Sequence, residues 1–141
     1  MIVQDLRLLR TTSSDLETFD SDLEQELIQE LAKSKTGVGL SAIQIGIPKR
    51  MAIIKLSNQK LLTIWNAEII NHQGSVLGEE GCLSVPFKFV NVPRHREITL
   101  KNGDGKILKF LDWTARIIEH EMDHWRGVLI TDYEGTQDYG I

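Results

Sequence analysis

Apolar positions along the chain fall into two rhythms, a helical one near each end and a strand-like one between them. Ser21 opens the run SDLEQELIQELAKSK, in which Leu23, Leu27, Ile28 and Leu31 share one helical face. Ser21 with Glu24 three residues later has the spacing of a capping box, and Gly37 marks the expected end of this helix. The acidic positions opposite that face read as solvated surface. Residues 1–20 show no clear period. MAIIKL at 51–56 and LLTIW at 61–65 read as strands, Glu68 to Ile70 as a short third one, and REITLKN and KILKFL as a hairpin turning at Asn102-Gly103-Asp104-Gly105. Glycines and Pro86 break the stretch from Gly74 to Val92. The last helical run is DWTARIIEHEMDHWRG, with Asp112 as the expected N-cap and Gly127 as the stop. Its Trp113, Ile117, Met122 and Trp125 are core candidates. The order of helix, strands and helix predicts an α+β domain with mostly antiparallel sheets, and residues 1–141 read as one domain without linker or repeat.

Composition narrows the setting. Hydrophobic residues make up 41% and charged residues 26%, the profile of a globular domain, and the formal charge of −4 gives no broad electrostatic case for nucleic acid or anionic membrane. Asp5, Arg7 and Arg10 interrupt the N-terminal apolar residues, so neither a secretory segment nor a membrane span is expected and the cytoplasm is the default location. Cys82 is the only cysteine, which rules out an intramolecular disulfide; a lone cysteine is most often a small buried hydrophobe.

The sharpest chemical signal is His120-Glu121-Met122-Asp123-His124. Histidines four apart lie on one helical face and can converge on one metal ion at about 2.0–2.1 Å. A glutamate after the first of them can take a proton from a water on that metal. The plainer alternative is a buried histidine pair satisfied by hydrogen bonds. Cys82, in Glu79-Glu80-Gly81-Cys82-Leu83-Ser84, offers a thiolate suited to zinc or iron(II), and one cysteine with two histidines leaves a fourth position for water, as catalytic sites do. His72 and His95 compete for the role of third ligand, although each lies in a polar segment and is expected to be exposed. GVGLSAIQIG at 37–46 does not read as a regular helix; its glycines permit close approach of a ligand to the main chain.

Three motifs together, GVGLSAIQ at 37–44, EGCLS at 80–84 and HEMDH at 120–124, give the chain its resemblance to the peptide deformylases. The resemblance runs from about the first helix to Tyr133, and Ser41 stands where that family usually has alanine. It implies a deformylase-like α+β fold, with sheets around a central C-terminal metal-binding helix and an N-terminal helix. By position it implies Cys82, His120 and His124 as metal ligands, Glu121 as general acid/base, and the Gln44 side-chain amide and Leu83 N–H as donors to the formyl oxygen. It also implies that Val38, Gly39 and Gly81 pair with the substrate backbone as an added strand does, and Trp113 and Ile117, with Val38 and Leu83, are the candidate wall of the methionine pocket. Glu80 and Arg94 resemble the ion pair that holds the cysteine loop. The implied cofactor is one divalent metal ion, usually Fe2+, with Zn2+, Ni2+ or Co2+ able to substitute. The implied reaction removes the N-formyl group from the initiator methionine of new polypeptides and releases formate, in a bacterial or phage-infected cytosol. Only 17 residues follow His124, and DYEGTQDYGI is a poor helix former, so docking on the ribosome through a C-terminal helix is not expected; short forms of this kind resemble phage-encoded deformylases. Two rival readings are a zinc endopeptidase, which lacks a downstream histidine here, and a non-catalytic module that holds metal or nascent chains.

Overall fold

The computed structural model describes residues 1–135. A single helical turn, α1 (Leu6–Leu9), precedes α2 (Ser21–Ala32), and strands β1 (Gly39–Ser41), β2 (Met51–Lys55) and β3 (Leu61–Trp65) follow. A 3-10 turn, Ala42–Ile45, separates β1 from β2. Then come β4 (Glu68–Gln73), β5 (Val76–Cys82), β6 (Val85–Arg94), β7 (Glu97–Lys101), β8 (Ile107–Leu111) and α3 (Asp112–Trp125). Among the described residues the strands form three sheets, ordered β1-β2-β3, β4-β7-β8 and β5-β6, and every strand pair is antiparallel. This is the expected α+β arrangement.

Helix α3 is the centre of the molecule. Ala115, Ile118 and Trp125 pack with Ala52, Ile54 and Ile64 of one sheet and Ile98 and Leu100 of another. A second cluster seats Leu23, Leu27 and Leu31 of α2 on Leu40, Met51 and Ile53, as the leucine spacing predicts. Most of α3 is buried, including Arg116, His120, Glu121, Asp123 and His124. So many polar groups inside a helix are tolerated only when each finds a partner, which makes α3 the place to look for chemistry.

Several local expectations are corrected. The α2 N-cap is Asp20, whose carboxylate accepts from Leu23 N at 3.0 Å, so the cap stands one residue before Ser21. The helix stops at Ala32, short of Gly37, where the Ser34 hydroxyl accepts the Gly37 N–H and turns the chain. Asp112 is the first residue of α3 with φ 50°, and Leu111 holds the N-cap position without a side-chain cap. Trp113 is exposed rather than part of the core. The Gly74–Val92 stretch is a hairpin, β5 with β6: between Gly81↔Phe89 and Cys82↔Val85 the register shifts, so Pro86 sits among looped-out residues and interrupts no ladder bond. The expectation that no C-terminal helix follows rests partly on residues 136–141, which lie outside the described residues.

Gly127 ends α3 in the left-handed region, φ 74°, and a side chain there would meet the main chain of Arg10. Arg10 clasps that corner, donating to Gly127 O at 3.2 Å and to both Asp132 oxygens at 2.7 Å. Gly127→Ala is expected to cost about 1–3 kcal/mol in urea unfolding, because it combines positive φ with a backbone clash.

Candidate active site

The 3-10 turn after β1 orients Gln44. Ser41 and Gln44 have capping-box spacing, and the Gln44 Oε1 accepts the Ser41 N–H at 2.9 Å. That bond leaves the amide nitrogen facing the other way, 3.2 Å from Ser84 Oγ and 3.7 Å from Cys82 Sγ. The Ser41 hydroxyl donates instead to Glu121 O at 2.8 Å and so fastens β1 to α3. Strand and helix are close enough there that a Cβ on Gly39 would lie 2.7 Å from Glu121 Oε2, so no larger residue fits without moving the carboxylate.

On the other side of α3 stands the cysteine hairpin. Ligand-capable atoms of Cys82, His120 and His124 all lie within 4.8 Å of one another, the one such cluster found among the described residues. Cys82 Sγ is 3.5 Å from His124 Nε2. His72 and His95 do not join them; their rings stack on each other at 3.9 Å, and His95 pairs with Glu119. His72 is exposed, as expected, and His95 half-buried.

Glu80 organises the ligands from behind. It is buried and meets four donors: Arg94 Nε and Nη2 at 2.9 Å each, Arg116 Nη1 at 2.7 Å and His120 Nδ1 at 2.9 Å. The His120 contact fixes the ring so that Nε2 points towards the thiol. Arg94 also reaches Asp123 at 2.6 Å, and Tyr133 OH donates to the same carboxylate at 2.7 Å. The Glu80–Arg94 pair was legible in the sequence; Arg116, Asp123, Ser84 and Tyr133 were not. An arginine flanked by apolar Ala115 and Ile117 in the last helical run was the one available signal for Arg116.

The electrostatics follow from this burial and pairing. Burial alone would raise the Glu80 carboxyl, but the hydrogen bonds from Arg94 and His120 outweigh it and hold the pKa at about 2. Burial likewise opposes charge on His120, yet its contacts with Cys82 and Glu80 hold it up at about 10. Burial, and then the positive charge of His120, push His124 well below the ordinary histidine value. Burial pushes Glu121 up, against the charge of His120. Glu121 Oε1 is buried without a protein partner, and Glu121 lines the cleft beside the ligands.

A cleft of about 500 Å3 opens onto these groups. Val38, Gly39, Gly81, Leu83, Ile117 and Trp113 all line it, so it brings the expected substrate-contacting residues together with Gln44, Cys82, His120 and Glu121. His124, the third member of the cluster, is buried and does not line the cleft. Two imidazoles, one thiolate and an adjacent carboxylate are the parts of a single-metal hydrolytic centre.

Comparison with known proteins agrees with that class. The profile of the Polypeptide deformylase family matches residues 2–138. The peptide deformylase of Helicobacter pylori strain Shi470 is 36% identical over 139 residues, covering 89% of this chain and 79% of its own. The crystal structure of the Thermus thermophilus peptide deformylase superposes with a TM-score of 0.85 at 29% identity, over 93% of this chain and 82% of that one. A probable peptide deformylase from synechococcus phage S-SSM7 gives 0.82 at 34% identity, over 94% and 98%. The chain belongs to the polypeptide deformylase family and is an enzyme of that class.

Proposed function

We propose that this chain is a single catalytic domain that hydrolyses the N-formyl group from the initiator methionine of new polypeptides. The observation that carries this reading is the convergence of Cys82, His120 and His124 beside the unpartnered Glu121 oxygen and the oriented Gln44 amide. The donor set fits one divalent ion, which the thiolate and two imidazoles would hold, with Glu80 behind His120. Such an ion polarises the carbonyl and lowers the pKa of a water towards about 7. Iron(II) is the proposed physiological metal, with zinc, nickel or cobalt as substitutes.

The chain's own residues do the rest. Glu121 takes a proton from the attacking water and returns it to the departing amine, since an amide anion is a very poor leaving group. Negative charge grows on the formyl oxygen; the Gln44 amide and the Leu83 N–H are the proposed donors to it. Val38, Gly39 and Gly81 offer main chain for strand-like pairing with the peptide. Methionine fits the apolar wall of Val38, Leu83 and Ile117. The crowding of Gly39 against Glu121 suits a carbon that carries only hydrogen.

Among the described residues no helix is long and apolar enough to cross a membrane. A reducing cytosol, which keeps the Cys82 thiolate available to metal, is the proposed location, and nascent chains rather than nucleic acid the proposed partner. The test is anaerobic incubation of iron, nickel and zinc forms with a formyl-Met peptide. Equimolar formate and free amino terminus are expected. Cleavage between internal residues of an unformylated peptide would establish the endopeptidase reading instead, and tight binding without formate a non-catalytic module.

A further inference from the structure

The four histidines of the chain fall into two pairs, and the hydrolytic centre uses only one of them. His72 of β4 and His95, between β6 and β7, stack with ring centroids 3.9 Å apart and planes at 27°. Glu119 clamps His95 from α3: Oε1 accepts its main-chain N–H and Oε2 meets Nδ1, each at 2.8 Å. A carboxylate beside Nδ1 keeps the proton there and leaves the lone pair on Nε2. Glu80 does the same to His120 at 2.9 Å. Carboxylate–imidazole pairs of this kind orient metal ligands. Among the described residues no hydrogen bond occupies Nε2 of His95 or either ring nitrogen of His72. Both rings line a cavity of about 490 Å3, with Glu68, Glu119 and Met122, that shares no lining residue with the active-site cleft and faces the opposite side of α3.

We propose that His72 and His95 form a second metal site, apart from the hydrolytic centre, that takes a divalent transition ion such as Ni2+ or Zn2+. Imidazole nitrogen is a ligand these ions favour. Two such nitrogens on one ion at about 2.0–2.1 Å stand roughly 3 Å apart, and rings stacked at 3.9 Å already bring their edges near that separation. His120 and His124 sit at 5.3 Å and 61°, the splay of two rings turned towards one point. His72 is exposed and its ring is held by no hydrogen bond, so it reaches a like splay by turning about its own side-chain bonds. Glu119 is committed to His95, and among the described residues no third protein ligand closes on the pair. Water therefore fills the remaining positions, and the ion exchanges with solvent instead of being locked in as at a closed structural site. Bound there, it ties β4 to α3 through His95 and Glu119.

The test titrates protein already loaded with one nickel ion per chain with further nickel chloride, by calorimetry at neutral pH. A second equivalent is expected to bind. Glu119→Gln is expected to weaken that equivalent by about 10–100-fold, the usual cost of removing the carboxylate behind a ligand. His72→Ala removes one of the two ligands and is expected to cost at least as much. Retention of the first equivalent in each variant shows that the protein is folded and that the Cys82–His120–His124 cluster is intact, so a general loss of structure does not imitate the effect. A wild-type chain that stops at one ion overturns the site. So does a second equivalent that His72→Ala leaves within about tenfold of the wild-type affinity, since the ion then lies elsewhere.

Discussion

Replacing Glu121 with Gln is expected to lower kcat by about a thousandfold or more while the protein keeps its metal. General acid/base groups contribute about 10²–10⁴, and in the proposed reaction one carboxylate serves both the attack and the departure of the amine. Its surroundings leave no substitute: Gly39 packs against it, Ser41 holds its main chain, and the next carboxylate, Glu80, is engaged by four donors. Glutamine keeps the shape, so the fold and the Cys82–His120–His124 cluster should survive. Metal content by elemental analysis and turnover by formate release separate the two effects. A variant with full metal and near-normal kcat would remove Glu121 from the mechanism.

Glu80→Gln should be the most damaging substitution for the architecture. Breaking one partner of a buried ion pair costs about 3–5 kcal/mol, because charges are left unpaired; here Arg116 loses its anion and Arg94 is left with Asp123 alone. The same change puts a neutral amide in place of the carboxylate behind His120 Nδ1 and is expected to weaken metal affinity by about 10–100-fold. The pH dependence has a definite sign. The folded pKa of Glu80, about 2, lies below the ordinary value of 4.5, so the folded state binds fewer protons than the unfolded one. Its stabilisation is complete above about 4.5 and is lost as pH falls towards about 2. The gap in Tm between wild type and Glu80→Gln should therefore stay constant from neutral pH to about 5 and narrow below about 4.5. A gap that widens on acidification would mean that Glu80 is not held ionised by its arginines.

The two helices and the β7–β8 hairpin were legible because their signals are local. Leucines at helical spacing in α2 and glycines between two alternating runs need no distant partner to be read. The β5–β6 hairpin was hidden because Gly81 and Pro86 normally break strands. Gly81 is covered by the ring of Phe89, and Pro86 falls in the one part of the ladder where no bond is lost. Trp113 was misplaced for the converse reason: it has the spacing of a core residue on α3, but that face turns towards the cleft at the helix start and leaves it exposed.

The sequence by itself determined the chemical inventory: a histidine pair one helical turn apart with a glutamate between them, one thiol, and a glutamine in a glycine-rich segment. Local spacing suffices for the imidazoles because the helix fixes their separation. Which third group completes the cluster is a contact between α3 and a hairpin far earlier in the chain, and only packing decides that Cys82 meets His124 while His95 turns to Glu119. Tertiary structure likewise decided that Glu80 gathers two arginines and a histidine, since a buried carboxylate must collect its donors from whichever elements surround it.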